Sequence, residues 1–155
     1  MKEKQEGKTF SVRLLFIHLR QISVMKELIC IFIGGGMGSL LRYLTSGWLA
    51  NYSYHSFPSG TFVVNLLGCF LIGIFYSLST RWNLSLEMRL LLTTGLCGGF
   101  TTFSTFSHES LLLLRQNQYT VFGLYITLSI LLGIVCVFAG AWTGNLYPSP
   151  HEELL

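Results

Sequence analysis

The sequence contains no aspartate, and only 11% of its 155 residues are charged. A soluble domain normally carries about 25% charged residues, so this chain has too little polarity to cover an ordinary water-facing surface. Its acids are all glutamates, and only Glu109 falls inside an apolar stretch. No nucleophile, base and orienting group can be assembled from that inventory, so an enzyme is not expected. The four cysteines, Cys30, Cys69, Cys97 and Cys136, form no Cys-x-x-Cys pair. Lying in apolar surroundings, they read as small hydrophobes. The run Gly34-Gly35-Gly36-Met37-Gly38 lacks the Lys-Ser/Thr that would complete a phosphate loop. Neither a nucleotide nor a nucleic acid is an expected partner.

What the chain does have is apolar length. Hydrophobic residues make up 51% of it, and its mean hydropathy is +0.56. Four apolar segments can be read, at Leu28 to Ala50, Thr61 to Ser79, Leu90 to Leu114 and Val121 to Gly144, each near the roughly 20 residues a helix needs to cross a bilayer. The connections, Asn51 to Gly60, Thr80 to Arg89 and Arg115 to Thr120, are too short for a second domain. The reading is an all-α membrane protein of four transmembrane helices. Residues 25–146 form the membrane domain, 147–155 a short tail, and 1–24 an N-terminal extension that is mobile or interfacial, or lies upstream of the true start.

That extension begins the one charge-rich stretch of the chain: Lys2, Lys4, Lys8, Arg13 and Arg20 against Glu3 and Glu6, with Lys26 and Glu27 just beyond. A signal peptide does not fit, because the apolar patch Leu14 to Ile17 is short and no Ala-x-Ala-like site follows. Met25 is a second possible start. From Lys26 onward the side holding the N-terminus carries Lys26, Arg81 and Arg89, and the other carries Arg115 and Arg42. Such a core is close to balanced under the positive-inside rule and could insert either way, whereas the basic extension favours N-inside.

The most informative stretch is Gly98-Gly99-Phe100-Thr101-Thr102-Phe103-Ser104-Thr105-Phe106-Ser107. A glycine pair followed by hydroxyl residues is tolerable at bilayer depth only where it is buried in protein or lines a water-filled cavity. Discontinuous helices of this kind mark ion or substrate sites. Phe103 and Phe106 are three residues apart and share a face, with Ser104 and Ser107 in a row beside them. Ring edges are positive, so two phenylalanines can pack a core or attract a small anion. Asn65 stands alone in an apolar run, where it can bond a neighbouring helix or offer amide donors to an anion. Tyr125, Ser129 and Gly133 recur every four residues as a polar stripe. Arg42, one turn after Gly38, can snorkel, pair, or form an electropositive mouth. Glu109 reads as structural, paired with a backbone donor, a hydroxyl or Arg42. Gly34-x-x-x-Gly38 suits close helix contact.

Taken together, Gly35-Gly36-Met37-Gly38 with Arg42, Gly60-Thr61 with Asn65 and Gly68, and the Gly98 to Ser107 run resemble the Fluc family of fluoride channels, also called CrcB. The resemblance covers about Met25 to Gly144, with three motifs in order. It implies an antiparallel, dual-topology homodimer in a bacterial plasma membrane, with a broken third helix and two fluoride pores. Phe103 and Phe106 would be the paired pore phenylalanines, Asn65 the pore asparagine, and Ser104, Thr105, Tyr125 and Ser129 the polar lining. Backbone carbonyls of Gly98 and Thr101 from each chain would hold a structural sodium ion. The implied function is passive export of cytoplasmic fluoride. Two other classes remain open: a small proton-coupled multidrug exporter, which would depend on Glu109, and a non-transporting membrane scaffold, which leaves the polar positions unexplained.

Overall fold

The computed structural model describes residues 2–50 and 57–147, with side chains from Arg20 on, apart from Ala50, and those of Arg13 and His18 before it. The expected connection over 51–56 and most of the expected tail, 148–155, lie outside the described residues. Helix α1 (Lys2–Ala50) is followed by α2 (Ser59–Arg81), α3 (Leu86–Leu90), a π-helical stretch (Leu91–Cys97), α4 (Gly98–Phe100), α5 (Phe103–Arg115) and α6 (Tyr119–Leu146). Three of these helices are long and apolar enough to cross a membrane: α1 over Arg20–Leu49, α2, and α6. The apolar segment Leu90 to Leu114, expected as the remaining span, is divided among four of these pieces.

Helix α1 is the longest element, at 49 residues, or about 74 Å at the α-helical rise. No glycine or proline occurs between Lys8 and Ile33 to stop it. Turns elsewhere have local causes. Asn83 and Asn117 take left-handed backbone (φ 46° and 57°), which asparagine tolerates better than most residues. At the second, Gln118 N–H returns to Leu113 C=O at 2.9 Å and closes the end of α5.

Without a hydrophobic drive between helices in lipid, close packing depends on small residues. On α1, Gly34 and Gly38 lie directly against the backbone of the π-helical stretch and α4. On the other flank Gly73 of α2 faces Val137 and Ala141 of α6, while Gly140 and Gly144 face Phe70, Ile74 and Ser77. The Ser77 hydroxyl adds a bond to Ala141 C=O at 2.9 Å. The resulting core is small, with Val64, Cys97, Phe100, Leu113 and Tyr125 as its buried apolar and aromatic residues, while Phe32 and Phe138 are 82% and 72% exposed. Those outward side chains suit a hydrocarbon surround. Exposed Tyr43 and Trp48 lie near one end of the bundle, and Trp82, Trp142 and Tyr147 near the other, in the manner of interfacial aromatic belts.

The helices alternate in direction. Gly60 at the start of α2 approaches Ser46. At the opposite end, Arg81 donates to Asn145 C=O and Arg89 lies 5.2 Å over the Tyr76 ring.

Candidate functional site

The site is organised by what happens after Phe100. Helix α4 stops there, Thr101 (ψ 157°) and Thr102 (φ −149°, ψ 111°) are extended, and α5 begins at Phe103. A stop at this depth frees backbone groups that need partners within the protein. Thr101 turns back, placing its N–H and its hydroxyl on Cys97 C=O, each at 2.9 Å. Thr102 is the N-cap of α5: its Oγ1 accepts from Thr105 N–H at 3.2 Å and donates to Thr105 Oγ1 at 2.9 Å. The remaining partners come from other helices. Arg42 Nε donates to Gly99 C=O at 3.1 Å, with the Ser39 hydroxyl at 3.5 Å, so a cation sits at the carbonyl end of α4. Asn65 bonds both the N–H and the C=O of Thr102, at 2.8 and 3.2 Å. Among the described residues, no backbone N–H from a turn, loop or cap falls on the carbonyls of Gly98 and Thr101.

One turn into α5 the aromatic residues line up. The Phe103 and Phe106 ring centroids are 5.8 Å apart, Phe106 and Tyr125 are 5.0 Å apart, and Tyr125 and Phe57 meet edge-on at 5.4 Å. Tyr125 is fully buried and Phe103 is 80% exposed, so the rings lead from the surface to the interior. At the inner end the Tyr125 hydroxyl donates to Glu109 Oε2 and the Thr61 hydroxyl to Oε1, both at 2.8 Å. Two hydroxyl donors on one carboxylate satisfy much of its hydrogen-bonding need without a counter-cation. Glu109, Thr61, Thr102, Thr105, Arg42 and Tyr43 line a cleft of about 600 Å³. A second cleft, about 320 Å³, lies on the other side of Thr102 and is lined by Asn65, Gly68, Cys69, Cys97, Thr101 and Phe103.

Of the residues singled out from sequence, Thr101 is therefore one of the two extended threonines, and Asn65, Thr105, Phe103, Phe106, Tyr125, Glu109 and Arg42 gather around them. Ser104 is exposed and reaches Thr102 Oγ1 at 3.3 Å. Gly98 is exposed at the edge of the second cleft. Ser129 lies one turn beyond Tyr125 on α6, its Oγ buried and without a hydrogen-bond partner. Of the partners considered for Glu109, the structure supplies hydroxyls. Arg42 spends its Nε on a helix terminus. Sequence reading gave no separate role to Thr61, Thr102, Ser39 or Phe57. Thr61 and Thr102 stood inside the recognised motifs, and Ser39 sits one residue from Gly38. Phe57 carried no signal, because its role depends on where the start of α2 meets Tyr125.

Known proteins resemble this chain over most of its length. The family described as CrcB-like protein, Camphor Resistance (CrcB), matches residues 29–141. A Bacteroides fragilis protein named fluoride-specific ion channel FluC is 53% identical over 126 residues, covering 79% of this chain and 99% of that protein. Proteins of the same name from Phocaeicola vulgatus and Leptospira interrogans are 54% and 48% identical over 118 residues, each covering 76% of this chain, and 98% and 93% of their own lengths.

Proposed function

The chain belongs to the CrcB family, and on that premise we propose that it is a fluoride-selective channel giving passive, electrodiffusive export of cytoplasmic fluoride. The observation that carries the reading is the line of rings from exposed Phe103 through Phe106 to buried Tyr125, ending at hydroxyls and the cleft beside Arg42. Fluoride is small and strongly hydrated, so a path for it must replace water with closely spaced donors and positive ring edges. Neutral groups hold the anion weakly enough to release it. The larger chloride fits such spacing poorly. Weak acid HF enters a cell and dissociates, and a negative-inside potential drives the anion out at about 2.3 kcal/mol per charge per 100 mV, with no need for ATP or proton coupling.

In this reading Leu86–Arg115 is the fourth crossing, a broken third span, and two antiparallel copies form the channel. Phe103, Phe106, Asn65, Ser104, Thr105, Tyr125 and Ser129 line the path. The unpartnered Ser129 hydroxyl supports its place there. The carbonyls of Gly98 and Thr101 fit a structural sodium ion, since they are hard oxygen donors at and just before the interruption after Phe100. Bound there, sodium would draw carbonyl oxygens of two copies onto one centre. The purified protein in potassium fluoride-loaded liposomes, given valinomycin, should release fluoride rapidly, beside little chloride release from a matched potassium chloride control. Absence of fluoride release from assembled dimers with sodium present would reject the reading.

Glu109 is structural in this scheme, so proton coupling is not expected. Glu109→Gln keeps one oxygen acceptor, and hydroxyls can accept as well as donate, so its amide can be satisfied at a cost near 1 kcal/mol. Its fluoride efflux should stay within about tenfold of the native rate and respond to an imposed pH gradient no more than the native chain does. Gradient-driven uptake lost in the variant would instead make Glu109 a proton carrier.

Orientation is a separate expectation. Eight of the ten basic residues, Lys2, Lys4, Lys8, Arg13, Arg20, Lys26, Arg81 and Arg89, belong to one end of the bundle, against Arg42 and Arg115 at the other. A chain lacking residues 1–24 keeps three against two. Its minority orientation, read with a C-terminal alkaline phosphatase or fluorescent-protein fusion, should be several times more abundant than in the full chain. Equal orientation ratios would show that the first 24 residues do not set insertion.

A further inference from the structure

Asn65 does more in the structure than a lone donor facing a pore would need to. Its amide forms a two-bond pair with one residue: Oδ1 accepts from Thr102 N–H at 2.8 Å and Nδ2 donates to Thr102 C=O at 3.2 Å. This is the pairing a neighbouring strand would offer to an extended residue, and Thr102 is extended, with α4 ending just before and α5 starting just after. Three residues on, and so on the same face of α2, Gly68 has no room for a side chain, because the Thr101 methyl would lie 2.1 Å from a Cβ there. One face of α2 is thus shaped to both extended threonines, Gly68 receiving Thr101 and Asn65 bonding Thr102. Helix α1 holds the preceding turn through Arg42 and Ser39 on Gly99 C=O.

We propose that Asn65 is a positioning residue, acting as a side-chain splint that holds the Thr101–Thr102 interruption in its extended form. Through Thr102 it sets where α5 begins and so where Phe103 and Phe106 lie. It also sets the direction of the Thr101 carbonyl. The amide has two N–H groups and one is committed to Thr102, leaving a single N–H for an anion. The consequence for flux rests on the channel reading above. The splint itself does not.

The test combines hydrogen exchange of the full chain in detergent, corrected for intrinsic rates, with fluoride efflux from liposomes. Asn65→Leu keeps the branched shape and removes both bonds. It should exchange the Thr102 amide at least about tenfold faster than the native chain and lose most of its fluoride efflux. Exchange that stays at the native rate overturns the proposal whatever flux does, and flux lost at native exchange would make Asn65 an anion contact only. Should Asn65→Leu fail to assemble, Asn65→Ala decides the matter, because it removes the acceptor of Thr102 N–H and the donor to Thr102 C=O without adding bulk. Thr102 exchange at the native rate in Asn65→Ala overturns the splint. If the native chain itself releases no fluoride, the transport reading falls while the exchange comparison still decides what Asn65 does.

Discussion

Replacing Phe106 with isoleucine should lower fluoride efflux at least about 100-fold, equivalent to raising the barrier by about 2.7 kcal/mol, while the protein folds and assembles as before. Phe106 is the central ring of the line: its centroid lies 5.8 Å from that of Phe103 and 5.0 Å from that of Tyr125. Isoleucine fills much of the same space and stays apolar, so packing on Tyr125 largely survives. What it removes is the quadrupole, whose positive edge is the only attraction an apolar side chain can offer a dehydrated anion. An anion that has shed water without that edge meets hydrocarbon, and the cost falls on the rate of passage rather than on folding. The measurement is efflux from liposomes holding equal amounts of each protein, with size-exclusion elution as the assembly control. Native efflux would remove Phe106 from the path, and lost efflux accompanied by loss of the native elution would make the ring a packing element.

Much of this arrangement was legible before any coordinates, and the reasons differ by residue. Gly34-x-x-x-Gly38 announced a close contact because small residues at that spacing have few other uses in a lipid-facing helix, and both glycines do abut the backbone. For Glu109 a backbone donor, a hydroxyl and Arg42 were all open as partners, and the hydroxyls of Thr61 and Tyr125 take that place. The partners of Asn65 and Arg42 could not be read. Both side chains bond backbone groups freed by the stop after Phe100, Thr102 and Gly99, and backbone groups leave no mark in a sequence. The π-helical stretch at Leu91–Cys97 was equally silent, since a change of helical register needs no special residue. The long run of α1 upstream of its span was there to be seen in the lack of helix breakers between Lys8 and Ile33, but the charges drew attention to the segment as a tail.

A pair of alanine substitutions on α1 should separate contact from propensity. Gly38→Ala would place a Cβ 2.2 Å from Leu96 O and 2.8 Å from Phe100 N. Both are backbone atoms, so no side chain can swing away and α1 itself must retreat. Overpacking normally costs about 1 to 3 kcal/mol, and a clash with backbone belongs at or above the top of that range. Retreat would also lengthen the Arg42 and Ser39 bonds to Gly99 C=O, loosening the turn before the extended threonines and lowering flux in whatever folded protein survives. Gly36→Ala is the control: a Cβ there meets nothing within 4 Å, and alanine in place of glycine inside a helix is favourable by up to about 1 kcal/mol. The fraction keeping its native size-exclusion elution after heating in detergent should therefore fall sharply for Gly38→Ala and hold or rise for Gly36→Ala. Native retention in Gly38→Ala would mean that α1 is not seated on the backbone of α4, and the Arg42 contact that depends on that seating would go with it.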